Sequence, residues 1–91
     1  ATFVSVRSDA KRSVYVKWKK LSGITGYQLQ RSYDASFCEY RAVNLSGSAM
    51  DRTMKYLTPG KTCYVRIRCY KKSGGKVYYG AWSTVKKIKV R

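Results

Sequence analysis

The run from Cys63 to Tyr70 alternates without a fault: Cys63, Val65, Ile67 and Cys69 are apolar, and Tyr64, Arg66, Arg68 and Tyr70 stand between them. Side chains of an extended backbone point to two faces in turn, so this pattern is a strand with a dry side and a wet side. Directly before it comes Leu57-Thr58-Pro59-Gly60. Proline presets φ for the second position of a turn, and glycine takes the positive φ that a type II turn requires at the third. A sharp corner feeding a half-buried strand, in a sheet with one wet face, is the frame into which the remaining segments must fit.

They fit as further strands. Phe3 to Arg7 is expected to be the first, with Val4 and Val6 inward. Ser13 to Lys19 follows, with Val14, Val16 and Trp18 inward and Tyr15, Lys17 and Lys19 outward. Gly23 and Gly26 bracket a loop before a third strand, in which Tyr27 and Leu29 face the core and Gln28 and Gln30 face out. Tyr33-Asp34-Ala35-Ser36 has turn composition, Phe37 is expected to plug the underside of a strand from Tyr40 to Leu45, and Gly47 breaks the chain again. Met50 to Leu57 reads as a strand with Met54 and Leu57 inward. Beyond Tyr70, the glycine loop Lys71 to Lys76 joins antiparallel neighbours. The last strand is expected from Val77 to Val90, kinked near Gly80, with Ile88 and Val90 on the core side. No segment holds a 3.6-residue period long enough to bury a helical stripe.

The order of these pieces carries a family resemblance. Leu57-Thr58-Pro59-Gly60 ahead of a long alternating strand, Trp18 in the second strand, Gly26-Tyr27-Gln28-Leu29-Gln30-Arg31-Ser32 as the third, and Tyr78-Tyr79-Gly80-Ala81-Trp82-Ser83 near the end together resemble fibronectin type III domains. They are most similar to those of Gram-positive bacterial surface proteins. The resemblance implies an all-β, seven-stranded antiparallel β-sandwich of the immunoglobulin-like kind, with residues 1–91 as one domain cut from a larger multidomain protein. It implies a non-catalytic extracellular accessory module, a spacer or binding unit in a bacterial surface or secreted protein. Its partners would be neighbouring domains of the same chain and, at the cell wall, anionic polymers or glycans. The family pattern places the tyrosine of the tyrosine corner at position 63; Cys63 stands there, so that hydrogen bond is expected to be missing.

Ninety-one residues make one domain with a thin core. No run approaches the roughly 18 consecutive apolar residues of a membrane-spanning helix, and membrane insertion is not expected. Twenty Lys and Arg stand against four acids, a formal net charge of +16. A field of that size draws in phosphate or carboxylate polymers without a shaped site, while lysines on exposed strands also keep a sheet soluble and blunt its edges. A dedicated nucleic-acid-binding domain is the alternative that charge and aromatics allow. It would gather its basic residues on one surface, whereas Lys11, Arg12, Lys17, Arg41, Lys55, Lys72 and Lys87 fall in widely separated segments.

The sequence points away from catalysis. It has no histidine, the commonest general base and zinc ligand, and Asp9, Asp34, Glu39 and Asp51 fall on separate loops and strand ends. The three cysteines lack zinc-site spacing, so neither a metal nor another cofactor is expected. Cys63 and Cys69 lie about 20 Å apart along one strand, beyond the ~7 Å Cα limit of a disulfide. An internal disulfide would therefore use Cys38, with Cys63 the nearer partner; burial as plain thiols is the other state, favoured by the apolar positions of Cys63 and Cys69.

The surface with most chemistry is the wet face of the long strand. Tyr64, Arg66, Arg68 and Tyr70 line it, and Trp82 on the neighbouring strand is placed to lie across the two arginines. This resembles the tryptophan and arginine ladder that accompanies the Trp-Ser motif in cytokine-receptor domains of the same family. Such a ladder covers and stiffens a sheet face; as a function, it offers an aromatic and cationic platform for sugars or a polyanion.

Overall fold

In the computed structural model, which describes residues 2–91, the chain forms eight strands and no helix. They are β1 (Phe3–Arg7), β2 (Val14–Trp18), β3 (Gly26–Ser32), β4 (Arg41–Ser46), β5 (Asp51–Met54), β6 (Thr62–Ser73), β7 (Lys76–Tyr79) and β8 (Lys86–Lys89). One antiparallel sheet has the order β1-β2-β5. The other has the order β4-β3-β6, and β6 carries β8 along its first residues and β7 along its last. The two sheets make the expected sandwich, with the seventh strand in two pieces.

The core is built from the inward members of the alternating runs. Val14, Val16 and Trp18 of β2 meet Tyr27 and Leu29 of β3 and Cys63, Val65 and Ile67 of β6, with Met54, Leu57 and Val90 closing the ends. Trp18 is 1 % exposed and its ring lies 5.4 Å from that of Tyr27, tilted by 57°. Burying an indole of about 200 Å² contributes on the order of 5 kcal/mol before the cost of ordering it. Tyr27 keeps its polar end satisfied by accepting a hydrogen bond from Leu21 N–H at 2.7 Å.

The corner forms as the sequence requires. Gly60 has φ +82°, and Lys61 N–H donates to Thr58 C=O at 3.4 Å. Gly60 N–H and Val90 C=O, and Val90 N–H and Lys61 C=O, then tie it to the end of the chain at 2.9 Å each. A tyrosine hydroxyl does hold the corner, but from another element: Thr58 N–H donates to Tyr33 Oη at 2.8 Å, and Lys61 Nζ sits 5.3 Å from the same ring.

Four expectations are corrected. Val4 points outward, 56 % exposed, because the β1–β2 register slips between Phe3 and Ser5; the extra residue reverses the parity before it, so Phe3 packs on the core in its place, while Val6 packs there as read. The strand around Met54 is shorter than expected, since only Asp51–Met54 pairs with β2, although Met54 and Leu57 are buried as read. Phe37 does not plug the core beneath β4; it lies on the opposite, outer face of the larger sheet. The kink near Gly80 is a full break of six residues, 80–85, between β7 and β8.

The first and last strands lie side by side at one seam of the sandwich. Thr2 and Phe3 share a shallow groove with Thr84 and Lys86, while at the other end Arg91 N–H donates to Ser8 Oγ at 2.9 Å. β1 and β8 therefore run in the same direction, one in each sheet. All three cysteines are free thiols.

Candidate functional site

The outer face of β6 carries Tyr64, Arg66, Arg68 and Tyr70, as the alternation dictates. Two of the four enter a stack. Arg66 Cζ lies 4.3 Å from the centre of the Phe37 ring and 4.2 Å from that of Trp82; Arg68 Cζ lies 4.2 Å from Trp82 and 3.7 Å from Tyr79. The order along the outer face of β6 is thus Phe37, Arg66, Trp82, Arg68, Tyr79, cation alternating with ring. Each guanidinium on a ring face is worth roughly 0.5–1 kcal/mol at an exposed site and more when desolvated.

The strand register supplies the positioning. β3 pairs with β6 so that Gln30 stands opposite Arg66 and Gln28 opposite Arg68. Arg66 Nε–H donates to Gln30 Oε1 at 2.9 Å and Arg68 Nε–H to Gln28 Oε1 at 2.8 Å. Both glutamines face outward as read, yet Gln30 is only 4 % exposed because the ladder covers it. Among the described residues the Nη atoms of Arg66 and Arg68 make no hydrogen bond, and no carboxylate lies within 4 Å of either.

Trp82 reaches the stack because the chain leaves β6 after Tyr79 and returns. Gly80 N–H donates to Cys69 C=O at 2.9 Å, and a Cβ at Gly80 would stand 2.7 Å from Cys69 Sγ, so any other residue there requires the thiol to turn away. Ser83 then bonds β6 twice: its N–H donates to Ile67 C=O at 2.8 Å, and its Oγ accepts from Ile67 N–H at 3.0 Å. The serine fixes the backbone and the tryptophan beside it is laid over the arginines. Trp82→Ala should therefore lower stability by about 2 kcal/mol, two cation–π contacts plus lost burial, measured by chemical denaturation. Loss of less than ~0.5 kcal/mol would mean the stack contributes nothing beyond coverage.

Tyr64 and Tyr70 stand on the same face but outside the stack. Tyr70 leans on Tyr79, ring centres 6.2 Å apart, with its hydroxyl end over Gly26; Tyr64 lies opposite Ser32 on one side and Lys87 on the other. Two members of the ladder, Phe37 and Tyr79, were not expected in it from the sequence. Tyr79 was within reach: the turn Gly74-Gly75, with φ +58° and +79°, closes a two-residue hairpin that sets Tyr79 opposite Tyr70. Phe37 was not. It holds φ +56°, a left-handed conformation rare for an aromatic residue, after a turn closed by its own N–H to Asp34 C=O at 3.0 Å.

The titratable groups add no second chemistry. Burial raises the Cys63 thiol above its usual range, with Arg31 opposing, so it stays protonated and inert at neutral pH. Hydrogen bonds from Ser36 hold the Asp34 carboxyl below its usual range, consistent with a turn-stabilising role. Among the described residues no three Cys, Asp or Glu side chains gather at one place.

Solved structures share this architecture. The chain superposes on the chicken CNTN1 FN1-FN3 domains with a TM-score of 0.80 at 18 % identity, over 100 % of its own length and 31 % of that chain. On the fn3 domain of human contactin 1 the TM-score is 0.77 at 13 % identity, covering 96 % of this chain and 72 % of that one. A beta-1,2-glucanase from Parabacteroides distasonis matches with a TM-score of 0.80 at 17 % identity, over 98 % of this chain but 12 % of the enzyme's. The fold is that of fibronectin type III domains, and the chain spans less than a third of the first of these proteins. No family model matches the sequence, and no curated protein matches it.

Proposed function

We propose that this chain is a non-catalytic module of a secreted or wall-attached bacterial multidomain protein, one that spaces its neighbouring domains and holds anionic wall polymers or glycans. The observation that carries the reading is the pair Arg66 and Arg68: each guanidinium lies over two rings and makes its hydrogen bond through Nε, leaving its Nη donors open to an anion. A pre-positioned planar fork loses little entropy when it meets a phosphate or carboxylate. The net charge of +16 supplies the long-range attraction. Tyr64 and Tyr70, at the two ends of the same face, extend the platform along β6. The faces of Trp82 are taken up by the arginines, so contact with a polymer runs through donors and ring edges rather than through a sugar stacked on the indole.

Such binding is weak, tolerant of sequence and steeply dependent on salt, because a protein of this charge releases counterions from any polyanion it meets. The test titrates the domain with a poly(glycerol phosphate) polymer, heparin and two unrelated DNA duplexes at low and physiological salt. Comparable affinities that fall together as salt rises support the reading, and Arg66→Gln with Arg68→Gln should weaken all of them several-fold. Tight binding to one duplex that survives high salt would instead make this a nucleic-acid-binding domain, and no binding at low salt would leave the spacer role alone.

A further inference from the structure

Three arginines occupy positions that the strand pattern reserves for the core. Along β3 the inward residues are Tyr27 and Leu29, and the next inward position is Arg31; along β4, Leu45 and Val43 are followed by Arg41. Arg31 and Arg41 are direct partners in the β3–β4 register. In the other sheet Met54 is buried, and the next inward position on β5 is Arg52, opposite the fully buried Val16. β4 and β5 are each the outer strand of their sheet, and both open on the same side of the sandwich. The result is a cleft of about 540 Å³ between the sheets, walled by Arg31, Arg41 and Arg52 with Lys55 at its rim and floored by the apolar side chains of Leu29, Val43 and Met54.

Among the described residues none of the three forms a salt bridge; the acid of this region, Glu39, lines the neighbouring cavity with Arg31 and Arg41. The cleft has no carboxylate in its walls, and among the described residues the one ion pair is Arg7 with Asp9, far along the chain. Like charges placed directly across two strands repel each other, and here they converge on one space from two sheets. Beside them Tyr56 holds φ +62° and is 90 % exposed at the rim. A left-handed backbone at a bulky residue costs free energy, and the ring that it presents stands open to solvent.

We propose that this cleft is a second anion site, distinct from the ladder, and that it takes a phosphate ester whose charged group bridges the three guanidiniums while its carbon chain lies on Leu29, Val43 and Met54. Guanidinium forks match tetrahedral oxyanions in bidentate fashion. A phosphate carries more charge at neutral pH than a carboxylate, which suits three converging cations. A carbon chain between phosphates suits a floor that a purely inorganic anion leaves uncovered. The site deepens the reading given above without needing it, since none of its residues belongs to the ladder.

The test has two arms. In the intact domain, NMR follows the arginine side-chain Nε–H signals during titration with inorganic pyrophosphate, a short glycerol phosphodiester oligomer and sodium sulfate. The signals of Arg31, Arg41 and Arg52 should move together and saturate, at lower oligomer concentration than sulfate. The second arm compares Arg31→Gln/Arg41→Gln/Arg52→Gln with Lys86→Gln/Lys87→Gln/Lys89→Gln, which removes the same charge elsewhere. The cleft variant should lose about tenfold or more in oligomer affinity, as loss of several charge-assisted contacts requires, and the control less than about threefold. Both variants should keep cooperative unfolding, since among the described residues neither trio forms a salt bridge. Equal losses in the two variants would overturn the proposal and leave the arginines as charges that blunt the sheet edges; so would arginine signals that do not respond. Unchanged polymer binding in the Arg66 and Arg68 variants, with the cleft signals still responding, would sink the ladder reading alone.

Discussion

Trp18→Ala should leave the domain largely unfolded at room temperature. Large aromatic-to-alanine changes in a core cost about 3–5 kcal/mol, and a domain of this size holds roughly 5–15 kcal/mol in total, with short chains toward the lower end. Trp18 stands on β2, the central strand of its sheet, and meets Tyr27 of the other sheet, so the lost volume cannot be refilled from one side. Its Nε1 is the one buried side-chain polar atom without a partner among the described residues. A buried donor left unsatisfied costs about 1–3 kcal/mol. Trp18→Phe removes that cost along with part of the volume and should therefore lose no more than about half as much as the alanine variant. Denaturant midpoints for the two variants provide the comparison; equal losses would mean that the indole N–H is satisfied, for instance by water.

Gly26→Ala should be the second most damaging change, at about 3 kcal/mol, near the upper end for overpacking. Gly26 pairs on one side with Ser46 and on the other with Tyr70, in the central strand of the larger sheet. A Cβ there would run into the carbonyl oxygen of Leu45 and stand 2.8 Å from the Tyr70 hydroxyl. The tyrosine can swing away; the backbone carbonyl cannot without parting β3 from β4. Gly23→Ala is the matched comparison, because Gly23 has φ +74° but open space around it. It should cost only about 1–2 kcal/mol, the price of a left-handed alanine. If both variants lose the same amount, conformation rather than crowding sets the requirement at position 26.

Gly26 also shows where the sequence stops being legible. As a residue it reads as the end of a loop, and only the three-strand register reveals that it is there for its lack of a side chain. The alternation of β2, β3 and β6 gave away the core, since a period of two with tryptophan, tyrosine and valine at the inward places leaves one face to bury. Val4 escaped because a bulge is one extra residue in a strand, and the sequence around it looks the same with or without the slip. The pairing of Arg66 and Arg68 with Trp82 was legible from strand parity and the Trp-Ser pair. The two outer rings of the stack were not equally so: Tyr79 follows from counting back across Gly74-Gly75, whereas Phe37 depends on an unusual backbone conformation that no propensity encodes. The cleft was hidden by the same logic, because Arg31, Arg41 and Arg52 come from three segments and become neighbours only when two sheets are stacked.

The parallel course of β1 and β8 at the seam has a mechanical meaning. Tension that draws Phe3 and Lys89 apart acts along both strands, in opposite senses, and slides one sheet over the other. The hydrogen bonds of β1 to β2 and of β8 to β6 lie across that direction, so each ladder must give way as a set instead of opening one rung after another. Forced unfolding is governed by the rate of crossing the unfolding barrier and not by equilibrium stability. A module whose equilibrium stability is modest can in this way hold its length under a pull, provided the pull enters through its outermost strands.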